Sequence, residues 1–203
     1  MRGMTSVLDD WPTPPGGWTD GGAGRRPPAD PEGEPSWLEV PRQTEFVDGS
    51  MIFMAPQMRF HERIMYGLRT VLNAQVPGDV VAVCRMDVKL GGHRRTCPDV
   101  CLVDDLAAAD DSRTFYLPEE VQLIIEVVSP ETERADREIK PRHYAAAGIP
   151  HFWRLESSGS RPFVYSFGLD PTTGAYQVTG VHHSRMTVDT PFPLDIDLER
   201  LPR

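Results

Sequence analysis

The stretch Val121–Ser129, with the sequence VQLIIEVVS, is a run of apolar and β-branched residues. Its length suits a fully buried β-strand and is too short to cross a membrane. One acidic residue, Glu126, lies near its far end. Because burying an unpaired carboxylate is costly, this pattern predicts that Glu126 has a partner, which is a network of hydrogen-bond donors, a proton or a metal ion.

A second apolar run, TCPDVCLVD, carries Asp99 near its start. If residues 98–103 and 121–128 pair as antiparallel strands with Asp99 opposite Glu126, both carboxylates lie on one face of the sheet. Their Cβ atoms would then be roughly 4.5–5.5 Å apart, close enough for the carboxylates to share one divalent cation. The other pairs on this face would be Cys101 with Ile124 and Val103 with Gln122.

The rest of the pattern alternates between helical and extended segments. Apolar residues at helical spacing predict an amphipathic helix over Arg59–Gln75. Asp136, Lys140 and Tyr144 recur every four residues and predict a helix over Arg134–Ala147, which Pro141 should kink or interrupt. Strands are predicted around a tight turn at Asp48-Gly49, over Val80–Leu90, and in HFWRLE, RPFVYSFG and GAYQVTGV, whereas TPFPLDIDLERLPR is interpreted as an exposed end with a short closing helix. This order is typical of an α/β fold with a mixed sheet flanked by helices.

The composition of the first residues differs from that of the rest. Residues 1–36 are dense in proline, glycine and aspartate, which predicts a disordered tail before a single domain over residues 37–203. We expect no secretory signal and no membrane segment, and the three cysteines have no framework spacing, so a cytoplasmic protein with reduced thiols is expected.

The charge of the chain bears on its partners. The net charge of −9 argues against non-specific nucleic-acid binding, although residues 1–40 alone hold seven acidic and three basic residues. The densest local basic patch contains Arg94 and Arg95. These two arginines are either a solvated hairpin tip or a contact for a DNA phosphate backbone.

The acidic pair is the main candidate for chemistry. Asp99, Glu126 and the backbone carbonyl of Val127 would form an oxygen-rich site suited to Mg²⁺ or Mn²⁺. Lys140 could supply a cation beside an attacking water, or it could form a plain surface pair with Asp136. A bland alternative for Glu126 is a buried ion pair with an arginine such as Arg154.

Three further residues are possible accessories to this site. His61 and Glu62 fall in the first turn of the first predicted helix, where both could equally be solvated residues. Asp136 is the third accessory candidate. A zinc set of His93, Cys97 and Cys101 is disfavoured, because the two cysteines lack the short CxxC turn that structural zinc sites use.

The motifs CPDVCLVD, LIIEVVSPETERADREIKPRHYAAAGIPHFWRLE and FVDGSMIFMAP…FHERI together resemble the Uma-two family of restriction endonuclease-like proteins, within the PD-(D/E)XK nuclease superfamily. The resemblance covers about residues 45–201. It implies a restriction-endonuclease-like core in which Asp99 and Glu126 bind the metal. The superfamily's strand lysine would fall at Val128, so the resemblance implies that Lys140 supplies the amine from the helix instead.

The resemblance and the acidic pair lead to one functional expectation and one rival. We expect a Mg²⁺- or Mn²⁺-dependent DNA endonuclease that hydrolyses phosphodiester bonds through a metal-activated water. The rival is a catalytically inactive protein of the same fold that acts as a nucleic-acid or protein-binding module. Cutting both strands of a duplex would favour a homodimer.

Overall fold

The computed structural model describes most of the chain from Thr44 onwards. The described ranges are 44–47, 50–53, 59–91, 94–159 and 161–201. All of them belong to one compact unit, Pro41–Arg203. The predicted tail, residues 1–36, lies outside the described residues, and so does His93.

Thirteen strands are present in the described part of the chain. They are β1 Thr44–Val47, β2 Ser50–Phe53, β3 Val80–Cys84, β4 Asp87–Gly91, β5 Arg94–Thr96, β6 Val100–Asp104, β7 Phe115–Tyr116, β8 Val121–Val127, β9 His151–Ser158, β10 Arg161–Asp170, β11 Ala175–His182, β12 Arg185–Val188 and β13 Leu194–Asp197. The helices are α1 Arg59–Asn73, α2 Asp105–Ala108 and α3 Lys140–Ala146, with a π-helical turn over Ala135–Ile139 and 3₁₀ turns over Pro118–Glu120 and Leu198–Arg200. No described helix is long and apolar enough to cross a membrane.

A six-stranded mixed sheet forms the centre of the fold, with the strand order β11-β10-β9-β8-β6-β3. Its neighbouring strands are antiparallel except for β8 and β9, which run parallel and are connected through the π turn and α3. Parallel neighbours require such a crossover connection. A five-stranded sheet, β2-β1-β5-β4-β7, and the hairpin β12-β13 complete the architecture. The predicted mixed sheet flanked by helices is therefore confirmed.

The middle strands β6 and β8 of the central sheet are buried on both faces, which explains their nearly continuous apolar runs. Leu123, Ile125 and Val127 of β8 face the core beneath α1, whereas Ile124 faces the opposite core, which contains Tyr144 of α3. Glu126 is two residues after Ile124 and therefore lies on the same face of the strand, so its side chain points towards α3. Every residue from 123 to 127 is buried.

The pairing of β6 with β8 follows the predicted register over part of its length. Cys101 lies opposite Ile124, as expected. The expected pair of Val103 with Gln122 is wrong, because a bulge shifts the register after Leu102 and places Val103 opposite Val121. A bulge inserts one extra residue into one strand, and alternation along the sequence does not reveal it.

Two predicted segments differ from the observed structure. The single strand over Val80–Leu90 is wrong: Arg85, with φ of +52°, separates β3 from β4, which lie in different sheets. The exposed C-terminal end is also wrong, because Leu194 and Ile196 alternate inward from β13 and are buried in the core. The motif LDID carries this two-residue alternation, so the signal was present in the sequence.

The predicted helix over 134–147 is divided at Lys140. The backbone N–H of Lys140 donates to the carbonyl of Ala135, five residues back, as in a π turn. Pro141 then occupies the first turn of α3. A proline ring in a helix interior clashes with the carbonyl four residues earlier and lacks an N–H, and the wider turn before Pro141 accommodates both effects.

Candidate active site

Lys140 is the centre of a buried charged cluster, and its side chain is 3% exposed. The ammonium Nζ lies 3.2 Å from Oε1 of Glu45, 3.2 Å from Oε1 of Glu126 and 3.1 Å from Oδ1 of Asp136. The interpretation of Lys140 and Asp136 as a surface pair is therefore wrong, because both are buried. The π turn and the start of α3 bring them next to the middle of the central sheet.

Glu126 accepts two contacts through the same oxygen. The hydroxyl of Tyr144 donates to its Oε1 over 2.5 Å, and Lys140 is the adjacent cation. Arg154 lies beside Glu126 in the parallel pairing of β8 with β9, but its Nε donates to Glu156 over 2.7 Å instead. The alternative pairing of Glu126 with Arg154 is therefore wrong, and the cation comes from the helix.

Asp99 lies one residue before β6 and contacts the same part of β8. Its Oδ2 accepts the backbone N–H of Val127 over 2.8 Å and lies 3.0 Å from Nε2 of His61. Asp99 therefore contacts the peptide unit that joins Glu126 to Val127, so both acidic residues lie at this peptide unit. Val127 contacts the site through its N–H, and a contribution of its carbonyl to a metal site stays a prediction.

The accessory residues divide into buried and exposed members. His61 is 4% exposed and contacts Asp99, so its interpretation as a solvated residue is wrong. Glu62, the next residue of α1, is exposed, as expected for a solvated first-turn acid. The helical periodicity turns the two neighbours to different sides of α1.

The two arginines expected at a DNA interface are on β5, and neither forms a solvated hairpin tip. Arg95 is 3% exposed; its Nε donates to Asp87 over 2.6 Å and its Nη2 to the carbonyl of Thr114 over 3.1 Å. Arg95 is therefore a structural residue, and the expectation that it contacts DNA is wrong. Arg94 is half-buried.

Glu45 and Tyr144 were not recognised as site residues from the sequence. Glu45 lies on β1, and its Oε1 accepts the backbone N–H of Cys97 over 3.0 Å in addition to contacting Lys140. No local pattern connects it to a lysine 95 positions later. Tyr144 had a signal, since residues four apart on a helix share a face, and Lys140 is four residues before it.

Burial and mutual repulsion perturb the ionisation of the cluster. Burial, together with the carboxylates of Asp136, Asp99 and Glu45, raises the pKa of Glu126 well above its ordinary value, although Lys140 opposes the shift. Burial acts to lower the pKa of Lys140, but Glu126, Glu45 and Asp136 outweigh it and hold that pKa above its ordinary range. Lys140 is therefore charged at neutral pH, whereas Glu126 ionises less readily than an exposed glutamate.

The charge balance and the free oxygens fit a hard divalent cation. Glu45, Glu126 and Asp136 share one lysine, and the fourth buried carboxylate, that of Asp99, contacts the adjacent backbone of β8. Among the described residues, hydrogen bonds and ion pairs reach Asp99 only through Oδ2 and Glu126 only through Oε1. Each of these two carboxylates thus retains one oxygen for a cation.

The donor set suits magnesium or manganese better than zinc. No group of three or more described His, Cys, Asp and Glu side chains has the arrangement of a ready-made metal cage. Mg²⁺ commonly uses only one or two carboxylates and completes its shell with water and substrate oxygens. Cys97 and Cys101 are both buried, and Cys101 packs in the apolar core with Ile124 and Tyr144.

The raised pKa of Glu126 predicts a pH dependence of stability. Below the ordinary pKa of 4.5, the neutral side chain of Glu126 makes its full contribution to stability. This contribution is lost as pH rises through the raised pKa of the folded state. In EDTA, the free energy of unfolding should therefore fall with rising pH. Lys140 would lose its contribution only above its own ordinary pKa of 10.5.

In the variant Glu126→Gln, side chain 126 cannot ionise, so this loss of stability with rising pH should be absent. The free energy of unfolding of the variant should therefore exceed that of the wild type towards alkaline pH. Urea unfolding at a series of pH values from about 5 to about 9 measures the difference. Glu62→Gln, which changes an exposed acid, is the control and should follow the wild-type curve. Parallel curves for Glu126→Gln and the wild type would contradict the prediction.

Comparison with known proteins connects the chain to one family and one fold. Residues 36–199 match the Uma2 family, described as "Putative restriction endonuclease". An uncharacterized protein of Synechocystis sp., slr1290, is 30% identical over 138 residues, which is 66% of this chain and 71% of the relative. A crystal structure of a "putative nuclease belonging to DUF820" from Anabaena variabilis superimposes with a TM-score of 0.62 at 18% identity, covering 81% of this chain and 94% of that one. The likeness confirms the restriction-endonuclease-like fold.

Proposed function

The chain belongs to the Uma2 family, and we propose that it is a Mg²⁺- or Mn²⁺-dependent endonuclease that hydrolyses phosphodiester bonds in DNA. The observation that carries the proposal is the excess of buried carboxylates: Glu45, Glu126 and Asp136 share the single cation Lys140, and Asp99 and Glu126 each keep an oxygen available. Such an excess of negative charge in a buried site is stabilised by a divalent cation.

Asp99 and Glu126 would hold the metal ion. A bound Mg²⁺ or Mn²⁺ lowers the pKa of a coordinated water and stabilises negative charge on the phosphodiester. Lys140 keeps a permanent positive charge beside Glu126, where it can orient the attacking water and stabilise the developing charge on the phosphate. Tyr144 fixes the orientation of Glu126 by donating to Oε1.

The remaining members of the cluster act through these residues. His61 and the N–H of Val127 hold Oδ2 of Asp99, so the direction of its other oxygen is defined. Glu45 and Asp136 share Lys140 with Glu126 and keep its ammonium in place. These are positioning residues, since none of them needs to contact the DNA.

Two measurements test the proposal together. Calorimetric titration with Mn²⁺ should give saturable binding to the wild-type chain, and a supercoiled plasmid should be nicked only when Mg²⁺ or Mn²⁺ is present. Failure to bind Mn²⁺, with no nicking in either metal, would instead favour a catalytically inactive binding module. A homodimer stays a prediction, to be checked by light scattering.

His61 is expected to tune the affinity for the metal. His61→Ala removes the side chain that holds Oδ2 of Asp99, and loss of such an outer partner typically weakens metal binding by about 10–100-fold. The Mn²⁺ dissociation constant from calorimetry is the measurement. Glu62→Ala, in the same helical turn but exposed, is the matched control and should bind Mn²⁺ like the wild type. Equal affinities for the two variants would refute the positioning role.

A further inference from the structure

A cavity of about 390 Å³ lies between α3 and the outer strands of the central sheet. This volume is within the range of small-molecule sites. The cavity is separate from the charged cluster and is not used by the proposed reaction. The side chains that matter for its chemistry are Arg137, Arg142, Arg154, Phe152, Phe167 and Tyr176.

Aromatic rings form one wall of this pocket. The rings of Phe152 and Phe167 are stacked with centroids 5.4 Å apart, and the ring of Tyr176 lies 5.6 Å from Phe152. The hydroxyl of Tyr176 donates to the carbonyl of Ile149 over 2.8 Å, so its polar end is satisfied within the protein. The guanidinium of Arg154 lies over the ring of Phe167, 5.5 Å from its centroid. Phe152 is buried and forms the back of this wall, so the half-buried rings of Phe167 and Tyr176, together with the guanidinium plane of Arg154, are the surfaces on which an unpaired nucleobase can stack.

The charged lining of the pocket is mainly positive. Arg137 and Arg154 both contact Glu156, which offsets part of their charge. Arg142 is exposed and makes no ion pair or side-chain hydrogen bond with any residue in the described part of the chain. The single acid of the lining, Glu138, is itself 3.7 Å from Arg134. Arg142 therefore provides an available cation for a phosphate.

The pocket adjoins the candidate active site through α3. Pro141 lines the pocket and directly follows Lys140. The ring of Tyr144, whose hydroxyl binds Glu126, lies 5.9 Å from the ring of Phe152 on the pocket wall. Arg154 is also the strand neighbour of Glu126. A nucleotide in the pocket would thus be close to the residues that we propose cleave the DNA strand.

We propose that this pocket binds one unstacked nucleobase of single-stranded DNA, with the aromatic wall holding the base and Arg142 holding its phosphate. A base inside a duplex is paired and stacked, and it cannot enter such a pocket without being extruded from the helix, which costs free energy. The protein therefore selects single-stranded or locally unpaired DNA. This inference rests on the proposed nuclease function for its substrate but not for its binding test.

Binding of deoxyadenosine monophosphate to the full chain in EDTA, followed by calorimetry or by NMR, tests the pocket without any cleavage. Wild type should bind saturably. Arg142→Ala should weaken binding roughly tenfold, as expected for loss of a charged hydrogen-bond donor. Ala146→Trp should abolish it, because the exposed Ala146 lines the pocket and the indole would fill it.

Two matched variants control for surface effects. Arg134→Ala removes an exposed arginine of the preceding turn, and Ala74→Trp adds an indole at an exposed position just after α1; neither residue lines the pocket. Both should bind the nucleotide like the wild type. The inference is overturned if the wild type does not bind saturably, or if Ala146→Trp binds as well as Ala74→Trp.

Cleavage of matched single-stranded and duplex oligonucleotides in Mn²⁺ separates this inference from the proposed function. The wild type should cut the single strand faster, and Arg142→Ala should reduce that preference. Nucleotide binding that responds to the pocket variants without any cleavage would refute the nuclease and leave the pocket intact. Equal cleavage of both substrates would overturn the selection of single-stranded DNA.

Discussion

Glu126→Gln should reduce metal-dependent DNA cleavage by about 10³-fold, which corresponds to about 4 kcal/mol of lost transition-state stabilisation. The substitution preserves the shape of the side chain and lets the amide oxygen still accept from Tyr144. It removes the negative charge that we propose binds the cation. The measurement is the initial rate of plasmid nicking in Mg²⁺ and in Mn²⁺.

Measuring the stability of Glu126→Gln distinguishes a loss of catalysis from a loss of folded protein. The same variant is expected to be more stable than the wild type at alkaline pH, so loss of activity and gain of stability should appear together. Glu119→Gln, which changes an exposed acid just before β8, should leave the nicking rate unchanged. A Glu126→Gln protein that nicks at the wild-type rate would remove Glu126 from the proposed mechanism.

Lys140→Met should lower the free energy of unfolding by about 3–5 kcal/mol near neutral pH. Methionine matches the length of the lysine stem, but it leaves the buried carboxylates of Glu45, Glu126 and Asp136 without their common cation. Breaking a buried ion pair from one side is far more costly than losing an exposed pair. Urea unfolding in EDTA measures the loss.

Two comparisons make this result specific to the cluster. Arg134→Met removes an exposed cation that pairs with Glu138 on the same segment, and it should cost about 0.5 kcal/mol or less. Combining Lys140→Met with Glu126→Gln should recover part of the stability, because one unpaired charge is removed. A cost for Lys140→Met no larger than that for Arg134→Met would mean that the cluster does not depend on its lysine.

The central part of the site could be predicted because its signals are local. Glu126 stands alone in a buried apolar run, and Asp99 begins the neighbouring one. Alternation along strands then places both near one peptide unit, as the hydrogen bond from Val127 to Asp99 reflects. Asp136 and Lys140 are one helical turn apart, which the four-residue spacing indicates directly.

The parts that could not be predicted depend on long-range packing. Arg95 looks like a surface cation in the sequence, but Asp87 on the adjacent strand binds and buries it. Glu45 reaches Lys140 only because the five-stranded sheet folds next to α3. His61 becomes buried because the first turn of α1 meets Asp99. None of these contacts leaves a periodic trace in the chain.

The π turn over Ala135–Ile139 sets the rotational phase of α3. An α-helix advances about 100° per residue, so the one additional residue in this turn offsets the faces before and after it by about that angle. Deleting a single residue there would swing the ammonium of Lys140 away from Glu126 unless another side chain took its place. In a relative whose helix has no π turn, the lysine equivalent to Lys140 should therefore lie at a different number of residues after the acid equivalent to Glu126. Superposing the helix axes identifies that lysine better than counting residues does.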